Sequence, residues 1–284
     1  MTGRALSAEA KAAFWKANDK LAQRWEAKFA AAATKEFNHD LRELKALLTD
    51  AKTKALTRKA TVDWQEYLLS VDDYLNMAGS ESWRKAFLPL IRGVMEARGE
   101  QLNADFGMEF DVRNLFAEEW FDKYVLEFAQ PIMETTADDI SQLMQTAQEE
   151  GWSVPQMDKA LDELFNQYIE GGGLSEEARQ WFEERLPAYR RELIARTETI
   201  RASNAGSNAL YKGWQINRKE WLATADDRTR PEHQVGVTWG QAPLVVGIDD
   251  TFTIGGEELA YPGDPAGSPA NFCNCRCTVL PVIE

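Results

Sequence analysis

Cysteine is scarce and bunched: the 284 residues hold three, Cys273, Cys275 and Cys277, all within five positions. An odd and crowded set cannot build a disulfide framework, so oxidative crosslinks do not hold this fold. No run approaches the ~18 apolar residues of a membrane span, and the opening MTGRALSAEAKAAFW lacks the basic-then-apolar layout of a signal peptide. Both absences predict a soluble cytoplasmic chain. Basic residues are in deficit, 32 against 46 acidic, and the formal charge of -14 excludes whole-molecule attraction to nucleic acid or anionic lipid while leaving local patches open. There is no GxxxxGK[ST], no GxGxxG after a strand, no HExxH and no GxSxG, which removes the common nucleotide, protease and esterase signatures. What is present is 44% hydrophobic residues, with 10 Trp and 13 Phe. That is enough for a core in one large or two ordinary domains, and it excludes disorder as the main state.

Neither glycine nor proline occurs between Arg4 and Ala78, so nothing punctuates the pattern there and long helices are expected. Phe14, Leu21, Trp25, Phe29 and Ala32 are spaced by three, four or seven, and Leu41, Leu44 and Leu48 continue the stripe; Lys16, Lys20 and Glu26 mark the wet side. Ser7 is the expected N-cap. Thr136 followed by Asp139, and Ser153 followed by Gln156, read as later helix starts, with Gly151 as a terminator before the second. The helix from Gln156 to Glu170 should end at Gly171-Gly172-Gly173, and Ser175 should start another, with Pro187 kinking it or separating it from the run Ala188 to Tyr211. Trp221-Leu222 reads as a helix end. Beyond Arg196 the last 89 residues hold nine of the 18 glycines and six of the 10 prolines, so turns and short strands are expected at Leu244-Val246, Thr251-Ile254 and Cys277-Leu280. The chain is therefore expected to be mainly α, with long N-terminal helices followed by a small α+β C-terminal domain. The expected divisions are 1–130 as a helical region, 131–195 as a helical lead-in and 196–284 as the α+β domain.

Three constellations bear chemistry. His233 with the three thiols is a complete zinc set by residue type. Alternating residues of a strand are about 6.6 Å apart, so thiols at this spacing cannot share an ion unless the backbone bends. Were a metal bound, His233, Cys275 and Cys277 would be its ligands; small thiols packed beneath a strand are the favoured reading. The run Asp226-Asp227-Arg228-Thr229-Arg230-Pro231-Glu232-His233 has groups for anion binding or acid–base work, but capping and loop-fixing account for it more simply. Arg201, Asn204 and Asn208 share a helix face, suited to bonding loops that lack ladders. Residues Arg196 to Arg230 carry seven basic and four acidic side chains, the one locally positive stretch, without the interleaved aromatics of a nucleic-acid platform.

The tail as a whole, Ala195-Arg-Thr-Glu-Thr199, Asn204-Ala205, Ala223-Thr-Ala-Asp-Asp-Arg-Thr-Arg-Pro-Glu-His233, Gly255-Gly-Glu-Glu-Leu259, Tyr261-Pro-Gly-Asp-Pro265, Asn274-Cys-Arg-Cys-Thr278 and Pro281-Val282, resembles the phage Mu protein F-like family of minor head, or head-morphogenesis, proteins. The close resemblance covers about Arg196 to Glu284, with a helical lead-in from Pro131. It implies a tailed-phage structural protein, not an enzyme, present in few copies, located in the virion head and, during assembly, in the host cytoplasm. The implied partners are the portal protein, the major capsid protein or a scaffold protein, with weak contact to packaged DNA and none to membrane. The implied signature residues are Arg196, Glu198, Asn204, Asp227, Arg228, Arg230, His233, Asn274, Cys275 and Cys277, with no catalytic role attached; Cys273 falls outside the pattern. No cofactor is implied, zinc being the one candidate. Some family members resemble carriers of toxin domains, and since the chain ends at Glu284 after Pro281-Val282, no fused toxin is expected. The helices before about residue 190 are expected to dock on portal or capsid subunits, with the tail as a compact plug, so that deleting residues 1–130 abolishes incorporation into heads. The competing class is a nucleotide-acting, ADP-ribosyl-transferring or metal-hydrolase enzyme using Arg196, His233, Glu257-Glu258 and the Cys275/Cys277 region.

Overall fold

A computed structural model describes residues 6–107, 115–170 and 190–283. The chain is mainly α-helical, with long helices first and a small strand-containing region last. Helix α1 (Ala8–Arg58) runs unbroken for 51 residues, as the absence of glycine and proline requires. Ser7 caps it, its Oγ accepting from the Ala10 N–H at 3.2 Å. Phe14, Ala22, Phe29, Ala33, Phe37, Leu44 and Leu48 form its buried stripe. Glu26 is not on the wet side: it is half-buried and accepts from Arg196 Nε at 3.3 Å.

Helix α2 (Trp64–Tyr74) is capped by Asp63 Oδ1, which accepts from the N–H groups of Gln65 and Glu66. A π-helical turn, Leu75–Gly79, leads into α3 (Ser80–Phe106), followed by α4 (Leu115–Glu127), α5 (Gln130–Glu150) and α6 (Val154–Glu170). Helix α5 starts six residues before Thr136, because Pro131 fits a first turn, where its missing N–H costs nothing. Thr136 is therefore interior, its hydroxyl donating to Ile132 O at 2.8 Å, and Asp139 accepts from Tyr168 Oη at 2.5 Å instead of pairing across a cap. Gly151 closes α5 at φ 68°, and Ser153 caps α6 with Gln156 Oε1 accepting from the Ser153 N–H at 2.8 Å. The glycine run at 171–173 and the helix expected from Ser175 lie outside the described residues.

The chain forms two compact units, each discontinuous in sequence. One comprises Ala31–Leu88 and Tyr124–Arg191. Its aromatic core centres on Phe37, whose ring meets Trp83 edge-on at 4.9 Å and Tyr168 at 5.0 Å. Asp40 is buried beside it and accepts from Trp83 Nε1 at 2.8 Å and Tyr74 Oη at 2.7 Å. Burial pushes its carboxyl up to about 6 from 3.8, against those two hydrogen bonds. The folded state thus binds this proton more tightly than the unfolded chain, so stability is greatest below the unfolded pKa and is lost as pH rises through the folded one. A rise of ~2 pK units corresponds to roughly 3 kcal/mol. Asp40→Asn, whose amide can still accept from Trp83, should flatten that part of the profile. Urea unfolding at about pH 4.5 and about pH 7 checks it, and equal slopes for both proteins would refute the assignment.

The other unit comprises Met1–Ala30, Pro89–Lys123 and Glu192–Glu284. At its heart lies α7 (Arg190–Gly213), buried from Ile194 through Tyr211 with Arg196 the half-buried exception. A helix covered on every side needs polar partners for its polar residues. Ser203 Oγ donates to Asn18 Oδ1 of α1, Arg98 Nε of α3 donates to Ser207 Oγ, and Gly206 lies against Met95 of α3. The last side is a sheet in which β1 (Arg218–Leu222) is central between β2 (Leu244–Gly247) and β5 (Thr278–Val282), both antiparallel to it. A hairpin of β3 (Phe252–Ile254) and β4 (Glu257–Leu259) turns at Gly255-Gly256, both at positive φ as such a tight turn demands. Trp221-Leu222 is thus a central strand and not a helix end. Its sequence, Arg-Lys-Glu-Trp-Leu, buries two charges, one in an ion pair and one on a neutral amide: Glu220 accepts from Lys11 Nζ at 2.6 Å and Lys219 Nζ donates to Asn208 Oδ1 at 3.2 Å.

Candidate functional site: a buried histidine and two thiols

The polar run after β1 folds as a self-bonded turn. Asp226 Oδ1 accepts from the Arg228 N–H, and Thr229 Oγ1 donates to Thr224 O at 2.9 Å. Asp226 Oδ2 accepts from Arg276 Nη2 at 2.5 Å, which, against burial, holds the Asp226 carboxyl below the usual carboxylate range. The turn delivers Pro231–His233 as a single 3-10 turn, with the His233 ring buried edge-on against Trp221 at 5.5 Å.

Opposite His233, the chain leaves the short helix α8 (Pro269–Phe272) and reverses at Asn274, whose φ of 56° is left-handed. Asn tolerates that conformation, and three bonds hold the bend. Arg196 Nη1 donates to Asn274 Oδ1 at 2.8 Å, Thr197 Oγ1 accepts from the Asn274 N–H at 3.0 Å, and Arg230 Nη2 donates to Cys273 O. Since β5 begins only at Thr278, Cys275 and Cys277 precede the ladder and escape strict strand alternation. Both thiols stand 3.6 Å from His233 Nδ1, and the three ligand-type atoms lie within 4.8 Å of one another. The spacing objection to a shared ion is therefore overturned for these two cysteines by the bend. Cys273 stays outside the cluster, half-buried, its thiol pushed up by burial.

Electrostatics at the cluster is one-sided. A hydrogen bond from Cys275 holds the Cys277 thiol well below its ordinary range against burial, with His233 and the Thr224 N–H helping; the same bond, with burial, raises Cys275. His233 is raised although burial opposes it, because Cys277 and Asn271 bond the ring. Its Nε2 lies 2.6 Å from Asn271 Oδ1. The amide's orientation is set by Asn271 Nδ2, which donates to Ile254 O at 2.8 Å and Glu257 Oε2 at 3.2 Å. Nε2 therefore carries a proton, and Nδ1 is the ring nitrogen that faces the sulfurs.

Most of the residues expected as a signature meet in one network around this cluster. Asn204 donates to Pro262 O and Cys277 O and accepts from Thr278 Oγ1 and the Val279 N–H. Glu198 accepts from Arg201 Nη1 at 2.7 Å, while Arg201 Nε donates to Gly263 O. Asp227 and Arg228 are the outliers, exposed at the turn. Reading the sequence missed Asn271, which bonds the His233 ring, and gave Arg276 no role of its own within the Asn274-Cys-Arg-Cys-Thr278 run. It also missed Lys11 and Asn18, which bond Glu220 and Ser203; nothing in the chain flags Asn271, Lys11 or Asn18, ordinary polar residues until the fold aligns them.

A family model described as phage Mu protein F like protein matches residues 139–280, half of the chain and all of the elements that build this network after α5. The chain belongs to the phage Mu protein F-like family. This Mu F-like chain is also 21% identical over 230 residues to the uncharacterised protein YqbB of Bacillus subtilis (strain 168), across 70% of its own length and 73% of YqbB. It is 37% identical over 121 residues to NAD(+)--arginine ADP-ribosyltransferase EFV of Enterococcus faecalis (strain ATCC 700802 / V583), across 41% of its own length but 24% of EFV. No solved structure matches it. Its family makes it a phage head-morphogenesis-type protein, in a family of structural phage proteins, and no helix among the described residues is long and apolar enough to cross a membrane.

Proposed function

We propose that the chain is a minor head protein of a tailed phage, present in low copy at the portal vertex or head interior, where it acts in procapsid assembly or genome delivery. The match of the family model over residues 139–280 carries this reading. The internal use of the tail's polar groups agrees with it. In the enzyme alternative, His233 would have to meet a substrate, yet its ring is 2% exposed. Glu257 is engaged by Ser268 and Asn271, and Glu258 by Thr251 and Thr253. The similarity to EFV spans 24% of that enzyme, too little of its length to bring its activity here.

Contact with packaged DNA is the weaker partner reading. In the locally positive stretch, Arg196, Arg201, Lys212, Lys219 and Arg230 all have partners inside the protein, which leaves few cations for phosphates. Portal, capsid or scaffold subunits are the partners of choice. Co-expression with the portal and capsid proteins of the same phage tests this. The chain is expected to sediment with portal rings or procapsids, and a chain that remains monomeric at the top of the gradient refutes the assembly role.

A further inference from the structure

We propose that His233 Nδ1, Cys275 Sγ and Cys277 Sγ bind one zinc ion, which ties the turn after β1 to the bend before β5. Geometry is the first reason. Sulfur at ~2.3 Å and nitrogen at ~2.05 Å around a tetrahedral zinc stand about 3.6 Å apart, and both Sγ–Nδ1 separations are 3.6 Å. A thiol hydrogen bond to a ring nitrogen has a similar length, so what points to an ion is the convergence of both sulfurs on one nitrogen, with all three atoms within 4.8 Å of one another.

Preparation of the ligands is the second reason. A metal-binding imidazole is oriented by the acceptor on its other nitrogen, and here Asn271 Oδ1 fills that place at 2.6 Å while its own amide is pinned by Ile254 O and Glu257. The left-handed residue Asn274, held by Arg196 and Thr197, brings the i and i+2 thiols to one side. Charge is the third. Two thiolates and a neutral imidazole balance a divalent cation, giving a neutral centre where His233, Cys275 and Cys277 are 2%, 3% and 2% exposed. Binding releases the dissociable protons of the His233, Cys275 and Cys277 set to solvent, leaving two thiolates and a neutral imidazole, and forms two S–Zn bonds and one N–Zn bond. Soft sulfur ligands favour zinc over magnesium or calcium. Three protein ligands leave one tetrahedral position for an oxygen donor. Beside Cys277, the Thr224 hydroxyl is buried without a hydrogen-bond partner among the described residues.

The test uses the full chain. Purified protein, stripped by a chelator and then offered Zn(II), should hold about one equivalent by metal analysis and native mass spectrometry, and its melting temperature should rise on zinc addition. Offered Co(II) instead, it should show the thiolate-to-cobalt charge-transfer and ligand-field bands of a tetrahedral centre. Cys273→Ser should keep both signals and Cys277→Ser should lose them. Asn271→Ala, removing a positioning residue, should weaken zinc binding roughly 10- to 100-fold. The proposal is overturned if the folded wild-type chain takes up neither ion. It is equally overturned if Cys273→Ser abolishes uptake as fully as Cys277→Ser, or if the purified chain carries a Cys275–Cys277 disulfide that excludes metal. None of these outcomes depends on the head-protein assignment, whose test is sedimentation.

Discussion

Residues 190–284 expressed alone will not fold cooperatively, although they hold nearly every motif by which the chain is known. Helix α7 is buried from Ile194 to Tyr211, and much of its cover comes from α1 and α3. Without α1, Glu220 loses the Lys11 ammonium that sits 2.6 Å from both its oxygens, in a pair whose side chains are 8% and 6% exposed. Stranding one partner of such a buried pair costs about 3–5 kcal/mol. Ser203 loses Asn18, Ser207 loses Arg98, and Trp15 no longer donates to Arg276 O. Together these losses rival the ~5–15 kcal/mol that stabilises a domain. Circular dichroism of the fragment should show no sharp thermal transition, whereas residues 6–284 should show one. A sharp transition in the fragment would refute the shared core. It follows that removing residues 1–130 is a poor probe of head docking, since a defect in incorporation would report an unfolded tail as readily as a lost interface.

Asn204→Ala should cost about 4 kcal/mol. The amide makes four bonds, two to the carbonyls of Pro262 and Cys277 and two from Thr278 Oγ1 and the Val279 N–H, all buried. Truncation strands backbone groups that no water reaches, at about 1–3 kcal/mol each before relaxation. Asn204→Asp preserves both acceptor bonds but turns the donors into a carboxylate facing two carbonyls, so it should be no milder. Equilibrium urea unfolding measures this. A loss below about 1 kcal/mol would mean that the loop at Pro262 and strand β5 are positioned without Asn204.

The helices were legible because their signals are local. A span without glycine or proline, a serine cap at Ser7, the Ser153–Gln156 pair and a stripe repeating every three to four residues each act within a turn or two of chain. Strands β2, β3 and β5 were legible for the same reason, as β-branched runs set between turn residues. Strand β1 was not. Lys219 and Glu220 look like surface residues, and only Asn208 and Lys11, distant in sequence or on another element, make their burial tolerable. Thr136 misled for the opposite reason: its cap-like spacing is real, but Pro131 had already started the helix.

At the site, the sequence by itself supplied the residue types. It named His233, Cys275 and Cys277 as a ligand set, and the order of its motifs pointed to the family. It also set the obstacle, because alternation in an extended strand keeps i and i+2 thiols too far apart to share an ion. What tertiary structure alone decided was the bend. A left-handed asparagine is costly in isolation, and here it is held by Arg196 and Thr197 from α7, some 77 residues away. Contacts over that distance depend on where helices and strands come to rest, which side-chain types do not specify until the buried core of α1, α3 and α7 has fixed it.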